Sequence, residues 1–147
     1  MKMLKAGLLL AALATLAPTS VAAKDYVVQM RNKGTDGAMV FEPAYVAASV
    51  GDRVRFVPTD PGHNAEPIAG MWAEATAPAA GKFNQEYIVT LTKPGIYGIR
   101  CLPHFGMGMV ALIKAGKGKP SNMAAATAVK LPPFAAKRMA PMLAKAQ

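Results

Sequence analysis

The sequence predicts a mainly β domain, built as a sandwich or barrel of short strands, with two α-helices after it. Runs rich in Val, Ile, Tyr and Phe recur between residues 26 and 114, and turn-forming Gly, Pro, Asn and Asp residues separate them. In one run, residues 53–57, Arg53 and Arg55 alternate with Val54 and Phe56, which is typical of a half-buried strand. After residue 116 the composition shifts to alanine and lysine, which favour helices.

The first residues have the layout of a cleaved secretory signal. A basic start precedes an apolar stretch over residues 7–16, and small residues occupy positions 21–23. The apolar stretch is too short, and too closely followed by proline, for a membrane-spanning helix. We therefore predict cleavage of residues 1–23, a periplasmic protein with no membrane insertion after cleavage, and one domain over residues 24–147.

The predicted strands follow one another along this domain. They cover residues 26–30, 38–41, 45–48, 53–57, 87–91, 96–100 and 109–114. Residues 32–37 are predicted as a loop because of their turn-forming composition. Residues 58–82 form a long connection that carries His63, and a connection of this length in a small domain is usually functional.

Two helices are predicted in the tail, residues 121–147. Ser121 is a suitable N-cap for a helix over residues 122–129. Pro133 can begin a second helix that reaches Lys145. We expect Pro141 to kink that helix or to end it early, since proline lacks the backbone N–H.

The charge of the chain points to an acidic protein partner. The formal net charge is +9, and it falls to +7 without the predicted signal. The basic residues are dispersed, without the long basic run or interleaved aromatic residues of a nucleic-acid-binding protein. An acidic protein is therefore the preferred partner, and nucleic-acid binding is excluded.

Residues 101–109 gather donor atoms that suit copper. They hold the only cysteine, Cys101, with His104 and Met109, and the other histidine is His63. A thiolate, two neutral imidazoles and a weakly bound thioether form the ligand set of trigonal mononuclear copper centres that transfer electrons. This pattern therefore predicts a copper site.

Strand parity supports a buried position for the cysteine. A single cysteine in an exported chain is a ligand, a reactive thiol, an intermolecular link or an inert buried residue. Cys101 lies two and four positions after Ile99 and Tyr97, so these side chains share one face of the strand. Cys101 therefore ends an inward-facing row of side chains. This placement disfavours the alternative of an enzyme in which Cys101 is a nucleophile and His104 its base.

Several motifs together resemble the cupredoxin family of small blue-copper proteins. They are His63-Asn64, Cys101-x2-His104-x4-Met109, Val50-Gly51-Asp52 and Pro94-Gly95-x-Tyr97. Residues 37–45, 62–64 and 107–113, followed by two helices, are similar to one group within that family. The resemblance covers essentially all of residues 24–147. It implies a cupredoxin-like Greek-key β-sandwich or barrel with two C-terminal α-helices.

The resemblance also implies the roles of individual residues. His63, Cys101, His104 and Met109 would bind one type 1 copper ion, with Met109 as the axial ligand. Met107 lies nearer to His104, but the axial methionine of the family occupies the position five residues after the loop histidine. Asn64 is expected to hydrogen-bond around the cysteine sulfur, because that is one way such sites set their potential.

The resemblance implies a non-enzymatic electron carrier that cycles between Cu(I) and Cu(II). The expected partners are acidic redox proteins, such as a nitrite reductase or another denitrification enzyme, and c-type cytochromes. His104 is the expected exit for the electron, and Lys33, Lys82 and Arg100 are expected to steer the partner. The alternative function is an exported copper-trafficking or copper-storage protein, which also uses Met and His. The ten methionines favour it, although residues 24–147 contain no second Met-x-Met run beyond residues 107–109.

Overall fold

The computed structural model describes residues 22–147, so the predicted signal over residues 1–23 lies outside the description except for its last two positions. No helix in this described part is both long and apolar enough to cross a bilayer. Its strands are β1 Asp25–Gly34, β2 Gly37–Glu42, β3 Tyr45–Ala48, β4 Arg53–Pro58, β5 Glu66–Pro67, β6 Tyr87–Thr90, β7 Gly95–Arg100 and β8 Val110–Ala115. Its α-helices are α1 Met123–Ala128 and α2 Pro133–Lys145, and a 3₁₀ turn covers Phe105–Met107.

The strands form two four-stranded sheets, as the prediction of a β-sandwich requires. The first sheet has the order β2-β1-β4-β6, and the second has the order β3-β8-β7-β5. β1 pairs antiparallel with β2 and parallel with β4. β8 pairs antiparallel with β7 and parallel with β3. The two α-helices follow the last strand, as predicted.

Two hydrophobic cores lie on opposite faces of the second sheet. The first core fills the space between the sheets, and Phe56 of β4 and Tyr97 of β7 belong to it. The second core lies between the second sheet and the helices, and it joins Ile96 and Leu112 to Met139 of α2. β7 and β8 are therefore covered on both faces. This makes them the most deeply buried strands of the fold.

The first hairpin is longer than the sequence indicates. Residues 32–37 were predicted as a loop, but β1 runs to Gly34 and β2 begins at Gly37, which leaves a two-residue turn. Lys33 pairs with Ala38, and Gly37 has a φ of +112°. Polar residues can extend an exposed hairpin because the backbone supplies its hydrogen bonds, so turn-like composition was misleading here.

The N-terminus of α1 also differs from the prediction. Asn122, not Ser121, is the N-cap residue, and its side chain makes no capping hydrogen bond. The Asn122 side chain instead bonds β7: its oxygen accepts the Ile96 N–H at 2.8 Å, and its nitrogen donates to the Ile96 carbonyl at 3.0 Å. The residue fastens the helix to the second sheet.

The expectation that Pro141 ends the second helix early is wrong. α2 continues through Pro141 to Lys145. Pro141 is exposed, whereas Met139 and Met142 on either side are buried in the second core. Packing of those side chains holds the helical backbone, while the hydrogen bond that proline removes lies toward solvent.

The turn before β4 depends on a buried carboxylate. Asp52 accepts hydrogen bonds from the backbone N–H groups of Lys24 at 2.9 Å and Ser49 at 2.8 Å. These bonds lower the pKa of Asp52 below its usual value of 3.8, against the opposing effect of burial. A carboxyl whose pKa is lowered by folding stabilises the protein fully above its unfolded pKa, and this stabilisation is lost as the pH falls through the folded pKa.

We expect Asp52→Asn to destabilise the protein at neutral pH, because a neutral amide accepts these two hydrogen bonds more weakly. The variant should also lose less stability than the wild type when the pH drops below about 4. Urea denaturation from pH 2 to pH 7 measures both effects. Parallel stability curves for the two proteins would contradict the assignment.

Candidate metal centre

Three side chains from two distant segments of the chain converge at one end of the sandwich. The Nδ1 atoms of His63 and His104 lie 3.7 and 3.5 Å from the Sγ atom of Cys101. The two Nδ1 atoms lie 3.2 Å apart. The three residues form a group whose donor atoms all lie within 4.8 Å of one another, as the sequence predicts for a metal site.

The loop between β7 and β8 positions two of these residues. Cys101 directly follows β7, and its amide donates to the Met109 carbonyl at 3.0 Å. The Met109 amide in turn donates to the His104 carbonyl at 3.1 Å. Gly108, with a φ of +87°, ends the 3₁₀ turn inside this loop. The loop is thereby folded back on itself, and His104 is brought to the cysteine.

Cys101 lies where strand parity places it. Its side chain is fully buried in the first core, together with Tyr97 and Ile99. Burial raises the pKa of the Cys101 thiol, and the backbone amides of Asn64 and His104 act in the opposite direction by hydrogen-bonding to the sulfur. A raised pKa and a buried sulfur both disfavour a nucleophilic role, which requires an accessible thiolate.

His63 is held by partners that the sequence analysis did not single out. Its Nε2 atom lies 2.8 Å from Oδ1 of Asn32 at the end of the first hairpin. An Nε2–H that donates to this oxygen leaves Nδ1 unprotonated and directed at the cysteine, which is the tautomer a metal ligand needs. The backbone carbonyl of His63 also accepts a hydrogen bond from the Asn84 N–H at 2.9 Å. Asn32 precedes His63 by 31 positions, so no local motif connects the two.

The electrostatic environment favours the neutral imidazole at His63. Burial lowers the pKa of His63, the nearby His104 lowers it further, and Asp60 raises it by a smaller amount. His63 is fully buried, whereas His104 is only partly covered. The buried histidine is therefore ready to accept a metal without first losing a proton.

Asn64 links the two segments that carry the converging residues. Its Oδ1 atom accepts the Leu102 N–H at 2.8 Å. Its Nδ2 atom donates to Glu66 and to the Gly81 carbonyl, both at 3.2 Å. The side chain thus hydrogen-bonds the backbone next to the cysteine, whereas the Asn64 backbone amide reaches the sulfur.

The two methionines of the loop have different surroundings. Met109 is fully buried and belongs to the same core cluster as Cys101. Met107 is 49% exposed and lines a groove between the loop and α2. A buried thioether beside the cysteine suits an axial ligand better than an exposed one, so the structure supports the preference for Met109 while the ligation remains a prediction.

The donor set fits copper by its geometry and by its chemistry. Donors bound about 2.0–2.3 Å from one metal in a trigonal arrangement lie roughly 3.5 Å from one another. The observed separations of 3.2 to 3.7 Å are close to this value. One sulfur and two imidazole nitrogens are also the donors of blue-copper sites.

The three cations expected around the site are not equivalent. Lys33 and Lys82 are exposed. Arg100 forms an ion pair of 2.7 Å with Glu66, which is 7% exposed, and lies 5.0 Å over the ring of Phe105. The charge of Arg100 is partly compensated within the protein, which reduces its expected effect on a distant partner.

Comparison with known proteins identifies the relatives of this chain. A family model described as copper binding proteins of the plastocyanin/azurin family matches residues 28–116. The chain is 48% identical over 135 residues to a pseudoazurin of Paracoccus pantotrophus, and the match covers 92% of each protein. Pseudoazurin is the group that residues 37–45, 62–64 and 107–113 resemble.

Solved structures give the same result. The structure is similar to that of pseudoazurin from Methylobacterium extorquens, with a TM-score of 0.79 and 41% identity over 84% of this chain and 99% of that one. Pseudoazurin from Hyphomicrobium denitrificans matches with a TM-score of 0.76 and 43% identity, over 82% of this chain and 97% of that one. These similarities confirm the predicted cupredoxin fold.

We expect Asn64→Ala to destabilise the metal-free protein by about 1–3 kcal/mol, because the Leu102 amide and Glu66 lose a buried partner. Urea denaturation without copper measures this loss. Gln85→Ala is the matched control, because Gln85 is exposed and makes no side-chain hydrogen bond within residues 22–147. Equal effects of the two substitutions would show that Asn64 does not connect the segments energetically.

Proposed function

The chain belongs to the plastocyanin/azurin family of copper-binding proteins, and we propose that it is an exported electron carrier whose copper is bound by His63, Cys101, His104 and Met109. The observation that carries this proposal is the convergence of both histidines and the only cysteine of the chain within 4.8 Å. The burial of Met109 in the same core as Cys101 supports the fourth ligand. Bound copper would supply a one-electron couple between Cu(I) and Cu(II).

The protein itself would hold the donors in place and exclude water. Cys101 and His63 are fully buried, so solvent would reach the site only on the His104 side. The hydrogen bonds of Asn32 and Asn64 fix the two loops that carry the donors. A site that is rigid before the electron arrives needs little rearrangement when it accepts or donates one, and this suits a carrier.

The electron would leave through His104. Its side chain is partly exposed, and Leu102 and Met107 on the same loop are each 49% exposed. An exposed apolar patch of this kind suits a short, weak encounter with a redox partner. Two exposed cations, Lys33 and Lys82, would add long-range attraction toward an acidic protein.

We also propose where the carrier acts and with which proteins it exchanges electrons. We infer that residues 1–23 direct export and are removed, and that residues 24–147 act as one domain in the periplasm. The electron acceptor would be an acidic redox enzyme such as a nitrite reductase, and a c-type cytochrome would be the counterpart. The carrier would itself catalyse no reaction, since the buried thiol of Cys101 has no access to a substrate.

We expect Cys101→Ser to abolish the intense visible absorption of the copper-loaded protein, because that band requires a thiolate bound to Cu(II). The hydroxyl is nearly isosteric, so the variant should still fold. Absorption spectroscopy after copper addition measures the loss, and circular dichroism verifies the fold. A variant that remains blue would remove Cys101 from the site, and a wild-type protein that binds only colourless Cu(I) would favour copper trafficking or storage.

We expect Met109→Gln to keep copper and colour but to lower the reduction potential, since a harder oxygen ligand favours Cu(II). Met107→Gln is the matched control, because it makes the same exchange at an exposed position of the same loop. Potentiometric titration measures both variants. A lower potential in Met107→Gln and not in Met109→Gln would reverse the axial assignment.

We expect electron transfer to an acidic partner to slow as salt is added, since screening shortens electrostatic attraction to about 10 Å at 0.1 M. Lys33→Glu and Lys82→Glu should each lower the bimolecular rate at low salt, by roughly tenfold. Stopped-flow measurement of the rate against ionic strength tests this expectation.

Lys117→Glu is the matched control for these charge reversals. Lys117 is exposed and follows β8, whose six residues place it about 20 Å from the copper loop at the other end of the strand. Equal effects of all three reversals, or a rate that salt does not change, would show that the partner docks elsewhere.

A further inference from the structure

Arg138 of α2 makes an unusual set of hydrogen bonds. Its Nη1 atom donates to the carbonyls of Met39 at 2.8 Å and Gly108 at 3.0 Å. Its Nη2 atom donates to the carbonyls of Ala38 at 3.0 Å and Asp36 at 3.3 Å. Four N–H groups of one guanidinium therefore bind four backbone carbonyls, from 30 to 102 positions away.

This cation has no carboxylate partner in the part of the chain that the structure describes. The four ion pairs found there involve the other arginines, Arg31, Arg53, Arg55 and Arg100. Its hydrogen bonds go instead to the first hairpin and to the loop that carries the predicted ligands. Arginine suits this arrangement, because its planar fork directs several donors at once, whereas a lysine ammonium is a single point of charge.

The contact with Gly108 bears directly on Met109. The Gly108 carbonyl and the Met109 amide belong to one planar peptide unit, and in a trans peptide they point in opposite directions. Arg138 binds the carbonyl, and the His104 carbonyl accepts the amide at 3.1 Å. The Gly108–Met109 peptide unit is therefore hydrogen-bonded both at its carbonyl and at its amide.

The approach of α2 to the loop is also too close for a side chain. A Cβ atom at Gly108 would lie 3.0 Å from the Phe134 carbonyl oxygen and 3.1 Å from Cδ of Arg138. The positive φ of Gly108 also favours glycine at this position. Helix and loop are thus packed backbone to backbone at the residue before Met109.

We propose that Arg138 is a positioning residue for the axial ligand: by clamping the Gly108–Met109 peptide to α2 and to the first hairpin, it sets the position of the Met109 thioether at the metal. This proposal rests on the proposed copper site. It assigns the second C-terminal helix a part in tuning the centre, in addition to covering the second sheet.

The first test uses the metal-free protein and does not depend on copper. In Arg138→Gln we expect the Met109 amide to exchange its hydrogen about tenfold faster, and in Arg138→Lys to a smaller extent. The Leu112 amide, which donates to the Ala44 carbonyl at 2.8 Å in the core, is the internal reference for global unfolding. Hydrogen exchange measured by NMR resolves the two amides.

The second test uses the copper-loaded protein. Arg138→Lys keeps the charge but loses the fork, and it should still change the relative intensities of the visible absorption bands, which respond to the axial interaction. Lys137→Gln is the matched control, because it removes the charge of an exposed residue on the same helix that makes no side-chain hydrogen bond within residues 22–147. It should leave the band intensities unchanged.

The outcomes separate the alternatives. Faster exchange at Met109 relative to Leu112, with altered bands in both Arg138 variants and not in Lys137→Gln, supports the proposal. Equal acceleration of both amides, or unchanged bands in both Arg138 variants, overturns it. Arg138 would then only attach α2 to the first hairpin and the loop. A wild-type protein that binds no copper refutes the proposed function instead, and amide exchange still decides whether Arg138 clamps the loop.

Discussion

The hydrogen bond from the Cys101 amide to the Met109 carbonyl, 3.0 Å long, is the contact on which the arrangement of the centre depends. It continues the pairing of β7 with β8, in which Arg100 is opposite Val110, and so closes a loop between two strands buried on both faces. A short loop on so rigid a base has few conformations available. His104 is therefore brought to the cysteine by the backbone, before any metal contributes.

The other half of the centre is held by less regular structure. His63 lies between β4 and the two-residue strand β5, whose short pairing with β7 is supplemented by hydrogen bonds from side-chain amides. Asn32 binds the His63 ring, and Asn64 binds the Leu102 amide across the gap. Each of these hydrogen bonds joins segments about thirty or more residues apart, so the positions of the donors depend on the complete fold.

This difference explains what could be predicted from the sequence. The succession of strands along the chain, except the two-residue β5, and the inward position of Cys101 follow from local periodicity. The convergence of His63 with the copper loop was expected from the family motif. Asn32, Asn122 and Arg138 could not be assigned, because their partners are set by tertiary contacts that leave no local pattern. The error at Pro141 has the same origin, since core packing on both sides of it outweighs the helix-breaking tendency of proline.

The positive charges near the site serve two purposes. Arg100 pairs with Glu66, and Glu66 accepts a hydrogen bond from the Asn64 side chain, so this cation belongs to the network that supports the cysteine loop. Lys33 and Lys82 are exposed instead. In the proposed function, long-range attraction would come from Lys33 and Lys82, and contact would be made by the apolar side chains around His104. Such a surface would attract a partner without holding it, as repeated electron delivery requires.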